Sequence, residues 1–155
     1  MRILEDLATV FGEDSQLAFK DIDFVRVHLD DANVRKRFAA LQILVDFWKL
    51  EKNEAEFICQ ERYRLDQDAK VRALAIRLLG DITKIDDDKE RLKFLARIAI
   101  SPVFSNAERR SAYFSLCEIR DLKAGRHSLN FDALTDIVED KVPILDCDWL
   151  REIID

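Results

Sequence analysis

A repeated pattern in the middle of the sequence restricts the possible folds more than any other feature. Three windows, 31–45, 68–82 and 105–119, follow one another at a spacing of 37 residues and align without a gap. Each has a helix-capping residue, then an arginine, then apolar residues at intervals of three and four. Those intervals place the apolar side chains on one face of a helix. A repeat of this length predicts stacked helix pairs.

The aligned columns predict where each repeated helix begins and which face it buries. Asp31, Asp68 and Ser105 share the first column, and each can cap a helix by accepting hydrogen bonds from free backbone N–H groups. The arginine and apolar columns are Arg35, Arg72 and Arg109; Phe38, Ala75 and Ala112; Val45, Ile82 and Ile119; and, in two copies, Val34 with Val71 and Leu41 with Leu78.

The arginine column has two interpretations. Evenly spaced guanidinium groups could form a ladder for phosphates or carboxylates. We favour the other interpretation, in which each arginine is part of the scaffold and pairs with the aspartate four residues before it.

A second helical pattern precedes each window, so that each unit is predicted to be helix, turn, helix. These segments are 13–29, 53–65 and 87–101, and Pro102 prevents easy continuation of the last one. The segment 2–11 is expected to be a capping helix. The tail repeats the pattern in degenerate form, with a helix at 130–140, a second helical start at Pro143 and its completion at 146–155.

The length and composition predict a single all-α domain over 1–155. Only three Gly and two Pro occur, and those residues are the ones that tight turns between strands need most. The clear repeats are expected at about 13–48, 53–84 and 87–121, with degenerate capping elements at 1–12 and 127–155.

The windows resemble the HEAT-like repeat family. The match is best in "LDQDAKVRALAIRLLGDI" (65–82), and "DDANVRKRFAALQIL" (30–44) is a good second copy. The third copy keeps Arg109 but has Ser105 in place of Asp and Glu108 in place of Val. The resemblance implies a short α-solenoid of about four antiparallel helix pairs whose second helices line a concave face. It says little about function, because that architecture has many uses.

Opposite the apolar stripe, each second helix has a ridge that we predict to lie on the concave side. The ridge consists of Lys36, Ala40, Ile43 and Phe47 in the first copy, of Ala73, Arg77, Gly80 and Lys84 in the second, and of Arg110, Phe114, Cys117 and Asp121 in the third. Apolar residues interrupt the ridge, and its basic residues outnumber its acidic ones in a chain of net charge −6. Apolar anchors beside cations are typical of a binding surface. The predicted partner-binding residues are Lys36, Ile43, Phe47, Arg77, Lys84, Arg110 and Phe114.

Other interpretations of this ridge and its surroundings stay open. The chain's own terminal helices could cover the ridge, a neighbouring chain could contact it, or it could have no role. The acidic surface could instead neutralise a basic effector, as in an inhibitor or immunity-type protein. HEAT-like repeats also occur in bilin lyases and DNA glycosylases, so that an enzyme is the alternative from another class.

Sequence signals for catalysis, cofactors and metals are missing. The two histidines, His28 and His127, have no companion at the spacing of a helical zinc site. No glycine-rich phosphate loop or serine-nucleophile motif occurs. The three cysteines are not in CxxC spacing and predict reduced thiols in a cytoplasmic protein. We therefore expect no enzyme activity, no cofactor, no membrane segment and no nucleic-acid partner, but a protein partner.

Overall fold

The structure is all-helical over the residues that it describes, which confirms the all-α part of the prediction. It is a computed structural model that describes residues 2–123 and 145–155. Within them the chain has two 3₁₀ segments, Thr9–Phe19 and His28–Asp30. Its α-helices are α1 (Arg2–Ala8), α2 (Ile22–Val27), α3 (Val34–Asp46), α4 (Lys52–Leu65), α5 (Ala69–Asp86), α6 (Lys89–Ile100), α7 (Asn106–Lys123) and α8 (Cys147–Ile154).

Side-chain caps determine where the three repeated helices begin. Asp68 accepts two backbone hydrogen bonds at the start of α5, at 2.8 and 3.3 Å. Ser105 Oγ accepts one from the first turn of α7 at 3.2 Å. Both predicted caps are therefore confirmed. At α3 the cap is Asn33, whose side chain accepts a backbone hydrogen bond at 2.9 Å, and the prediction of Asp31 is wrong.

The spacing between the caps of the first and second copies is consequently shorter than the gapless alignment indicates. Asn33 and Asp68 are 35 residues apart, whereas Asp68 and Ser105 are 37 apart. Asp31 accepts the backbone N–H of Asn33 at 2.8 Å, just as Asp66 accepts that of Asp68 at 2.9 Å. Asp31 is therefore equivalent to Asp66, and the first window must be shifted by two residues.

The corrected register makes the buried columns uniform. Ile43 now aligns with Leu78, and Phe47 aligns with Ile82, so both belong to the core face of α3. One column holds only alanine and another only leucine, all of them at most 2% exposed: Ala40, Ala75 and Ala112, and Leu44, Leu79 and Leu116.

Helix α5 lies at the centre of the described structure. It packs against α4 and α7 and also contacts α3, while α6 packs against α7 and α8. Gly80 on α5 faces Ser115 on α7, and a Cβ added at Gly80 would overlap the Ser115 side chain. The glycine therefore permits the close approach of these two helices.

Two arginines at equivalent positions, Arg37 and Arg72, form ion pairs that connect successive repeats. Arg37 Nε and Nη2 donate to the two carboxylate oxygens of Asp66 at 2.9 and 3.0 Å. Arg72 Nε donates to Oε1 of Glu108 at 2.8 Å. In both arginines Nη1 also donates to two backbone carbonyls that precede its own helix. Arg72 is part of the scaffold, but its predicted pairing with Asp68 is wrong, because Asp68 accepts backbone N–H groups instead.

The other two arginines of the predicted column differ from Arg72. Arg109 Nε donates to the carbonyl of Ala99 at 3.1 Å. Arg35 is exposed and forms no ion pair with any residue in the described part of the chain. Oδ2 of Asp31, its predicted partner, lies 3.0 Å from Nδ1 of His28 instead. The expected pairing of Arg35 with Asp31 is therefore wrong too.

The N-terminal region departs from the single helix predicted over 13–29. Gly12 has a φ of 62°, which breaks the helical path within Thr9–Phe19. A new helix, α2, then starts after Asp21, whose side chain caps it. The Phe11 ring packs 5.4 Å from that of Phe24, and this region closes over α3. The cap at Asp21 therefore divides the segment 13–29, and Gly12 separates this segment from the helical turn before it.

The helices predicted at 53–65, 87–101 and 146–155 are confirmed as α4, α6 and α8. The helix predicted at 130–140 and the helical start at Pro143 lie outside the described residues. Trp149 on α8 packs beneath Arg120 of α7, with 4.3 Å between the guanidinium carbon and the ring centroid. Over residues 2–123 and 145–155, no helix is long and apolar enough to cross a membrane.

Candidate partner-binding surface

Two of the predicted anchors do not lie on an exposed ridge. Ile43 has no exposed surface. Phe47 is half-buried, with its ring centroid 4.9 Å from that of Phe19 and 5.4 Å from that of Trp48. The expectation that these residues are exposed anchors is wrong, because the true register places them in the core. The chain's own N-terminal segment covers this part of α3, as one of the alternatives anticipated.

Polar residues of α3, α5 and α7 form rows across the three helices in the corrected register. Asp46, Asp81 and Glu118 are equivalent positions, and we call them the acidic row. Arg35 and Lys70 are a second set of equivalents, close to the starts of α3 and α5. Both of these cations are exposed. The face therefore has a basic end and an acidic row rather than a uniformly basic ridge.

The acidic row neutralises the predicted basic residues of α5. Arg77 Nη1 lies 2.6 Å from Oε2 of Glu118. Lys84 forms an ion pair with the same carboxylate and another with Asp81 at 2.8 Å. Lys36 Nζ lies 3.9 Å from Oδ2 of Asp31. The predicted excess of positive charge at Lys36, Arg77 and Lys84 is therefore wrong, since each cation has an acidic partner within the chain.

The pKa shifts in the acidic row reflect these neighbours. Burial favours a higher pKa for Glu118, but hydrogen bonds from Arg77 and Lys84 lower its pKa overall. Asp46 differs: desolvation raises its pKa, and the charge of Asp81 adds to the effect, even though much of the residue is exposed.

The remaining predicted residues lie together on α7. Arg110 and Phe114 are both half-buried, and the Arg110 guanidinium carbon lies 5.3 Å from the centroid of the Phe114 ring. A cation over an aromatic face is a stabilising contact. The structure thus brings these two together, with Arg77 and Lys84 on the neighbouring helix, and separates them from Ile43 and Phe47 of α3.

An apolar cleft opens where α1 meets the starts of α3 and α5. We call it the α1–α3 cleft; its volume is about 390 Å³. Arg35 and Lys70 stand at its rim, and neither forms an ion pair with a described residue. Two carboxylates, those of Asp6 and Asp68, also reach the rim. Its apolar lining consists of Leu7, Val10, Val34 and Phe38.

Sequence reasoning missed this cleft for an identifiable reason. Phe38 was assigned to the buried stripe, but it is half-buried and lines the cleft. The uniform alanine and leucine columns were a usable signal for the correct register. That register would have placed Arg35 beside Lys70. The contribution of α1 has no comparable local signal.

A second groove runs between α4 and α6, with a volume of about 410 Å³. Tyr63 and Phe94 line it, and their ring centroids are 5.2 Å apart. Arg91 lies on its wall but forms ion pairs with Glu56, at 3.0 Å, and with Asp86. The charge of Arg91 is therefore balanced within the chain.

Two of the cysteines, Cys59 and Cys117, lie in surroundings that disfavour a nucleophilic thiolate. Burial, with nearby carboxylates, raises the pKa of Cys59 to about 12. Burial also raises the pKa of Cys117. A thiolate is the reactive form of cysteine, and a raised pKa disfavours it. Within 2–123 and 145–155, no three His, Cys, Asp or Glu side chains are grouped to hold a metal ion.

Comparisons with known proteins give no relative for this chain. No family model matches the sequence, and comparisons with curated proteins and with solved structures return no significant similarity. Its function must therefore be inferred from its own residues.

Proposed function

We propose that this chain is a non-catalytic, HEAT-like scaffold that binds a protein partner through the face formed by α3, α5 and α7. Repeated caps and uniform alanine and leucine columns support a short α-solenoid of about four helix pairs. Contacts of α5 with both α3 and α7 support the alignment of the second helices along one face. We also propose a cytoplasmic location, in keeping with three free cysteines.

The α1–α3 cleft with its two unpaired cations is the observation that carries this proposal. A partner side chain can bury apolar surface in the cleft. Arg35 and Lys70 can make ion pairs with the partner without breaking any within the described chain. Apolar contact area next to available charge is the combination that gives an interface both affinity and specificity.

Reversing the two rim charges tests the proposal. We expect the Arg35→Glu/Lys70→Glu variant to retain about one tenth or less of the partner captured by the wild type. The reason is electrostatic, since both changes place like charge opposite the partner's acidic groups. The measurement is affinity capture from an extract of the source cells, with bound proteins quantified by mass spectrometry.

A matched control carries the same charge change elsewhere. Lys93 and Arg97 lie on α6, outside the cleft, and form no ion pair with a described residue. The Lys93→Glu/Arg97→Glu variant should capture the same proteins as the wild type. Equal capture by all three proteins would refute binding through this face, and circular dichroism would verify that each variant is folded.

A further inference from the structure

We propose that the α1–α3 cleft recognises a peptide segment of the partner that combines a large apolar side chain with neighbouring Asp or Glu residues. This inference rests on the proposed scaffold function and specifies the chemistry of its partner. It follows from the lining, the rim charges and the path that a peptide must take beyond the cleft.

The lining defines the central contact of such a segment. Leu7 and Val10 of the N-terminal region line the cleft together with Val34 and Phe38 of α3. A volume of about 390 Å³ is near the lower end of the range for ligand sites, about 300 to 1,000 Å³. The cleft therefore has room for at least one large apolar side chain.

The rim charges determine what flanks that side chain. Arg35 and Lys70 are exposed and available, so that a carboxylate next to the apolar anchor would find two cations. Asp68 is less available to a ligand, because it accepts the backbone N–H groups of Lys70 and Val71. Asp6 remains an exposed acid and disfavours a second carboxylate on its own side. The acidic group must accordingly lie on the α5 side of the anchor.

The surface beyond the cleft favours a peptide over a small amphiphile. From Arg35 and Lys70, α3 and α5 lead to Asp46 and Asp81 of the acidic row. Asp81 is paired with Lys84, but Asp46 forms no ion pair with a described residue, so that a chain leaving the cleft along α3 would meet one available carboxylate. This carboxylate favours a basic residue farther along the segment. A fatty acid shares the apolar and carboxylate chemistry of the anchor but has no group to use this second charge.

A displayed library of random short peptides provides the test, with the purified full chain as bait. We expect enrichment of peptides in which Asp or Glu adjoins a large apolar residue. Binding of a selected synthetic peptide, measured by fluorescence polarisation, should weaken about tenfold or more in the Arg35→Glu/Lys70→Glu variant. Binding should be unchanged in the Lys93→Glu/Arg97→Glu control.

Charge-swapped peptides make the test independent of folding defects. The Arg35→Glu/Lys70→Glu variant should bind a version of the selected peptide in which Lys replaces Asp and Glu, whereas the wild type should not. A merely misfolded variant would bind neither peptide. Gain of binding to the swapped peptide therefore supports direct contact at the rim.

Several outcomes would overturn the inference. These are a library without enrichment, enriched peptides that lack acidic residues, or binding that is insensitive to the rim reversal. Binding of decanoate with the same charge dependence, but of no peptide, would indicate a lipid-derived ligand instead. If the peptide test fails while rim-dependent capture of a protein persists, the partner chemistry is wrong and the scaffold proposal stands. Peptide binding without any protein capture would count against the scaffold proposal alone.

Discussion

Replacing Asp66 with alanine is expected to lower the free energy of unfolding by about 3 kcal/mol, near the lower end of the cost of breaking a buried ion pair. The Asp66 side chain is only 1% exposed and accepts both hydrogen bonds from Arg37. Its loss leaves the guanidinium largely buried without its carboxylate. Urea-induced unfolding followed by circular dichroism measures the change.

Asp148 offers a matched control at the surface. Its carboxylate is 93% exposed and lies 3.2 Å from Arg151, which is itself exposed. The Asp148→Ala variant should change the free energy of unfolding by less than about 0.5 kcal/mol. Similar effects of the two substitutions would show that Asp66 is not the buried connection between repeats that we describe.

The stabilisation from Asp66 should depend on pH in one direction. Burial favours a higher pKa for Asp66, but hydrogen bonds from Arg37 and from the backbone of Asp68 lower its pKa overall below the ordinary value of 3.8. The ion pair is therefore fully effective above pH 3.8 and is lost as the pH falls through the lower pKa of the folded chain. The stability difference between wild type and Asp66→Asn should be constant near neutral pH and should shrink in acid. A difference that grows on acidification would contradict this assignment.

Replacing Gly80 with valine is expected to lower the free energy of unfolding by about 2 to 3 kcal/mol, because it overpacks the contact between α5 and α7. A Cβ at this position overlaps the side chain of Ser115, whose Cα would be only 3.6 Å away. The gain in helix propensity of about 0.4 kcal/mol is too small to compensate. Thermal unfolding compares the variant with the wild type.

A second substitution identifies the cause of this destabilisation. Ser115→Gly removes the side chain that the new Cβ would meet, so that the double variant should be at least about 1 kcal/mol more stable than the sum of the single effects predicts. Additive effects would mean that the contact between Gly80 and Ser115 does not limit the approach of the two helices.

The central helices were predictable because their signals are local. Asp68 caps α5, and Ser105 with Glu108 forms a reciprocal cap at α7, in which each side chain accepts a backbone N–H. The apolar spacing that follows each cap identifies the buried face. These features depend on residues within one or two turns of each other, so the sequence alone could identify them.

The residues near the start of α3 do not by themselves determine the register of the first repeat. Asp31 and Asn33 are both good capping residues, and the gapless alignment favours Asp31. Arg37 distinguishes them, because it donates to Asp66, which is distant in sequence. That error of two residues moved Ile43 and Phe47 from the core to a predicted surface. Long-range contacts therefore determined which residues are available for binding.

The α1–α3 cleft depends on such contacts as well. It exists because α1 packs against α3, and no repeat relates α1 to the rest of the chain. The sequence indicated α3, α5 and α7, the same three helices that form the proposed binding face, but placed its apolar anchors too far along α3. In the structure, Phe38 and the cations Arg35 and Lys70 line the cleft instead.

Hydrogen–deuterium exchange of the chain with its captured partner tests the proposed face most directly. We predict slower exchange on binding in the first turns of α3 and α5 and in α1, where the cleft lies. Exchange in α4 and α6, on either side of the second groove, should stay unchanged. Protection confined to α4 and α6, with none in α3 or α5, would contradict binding through the α3, α5 and α7 face.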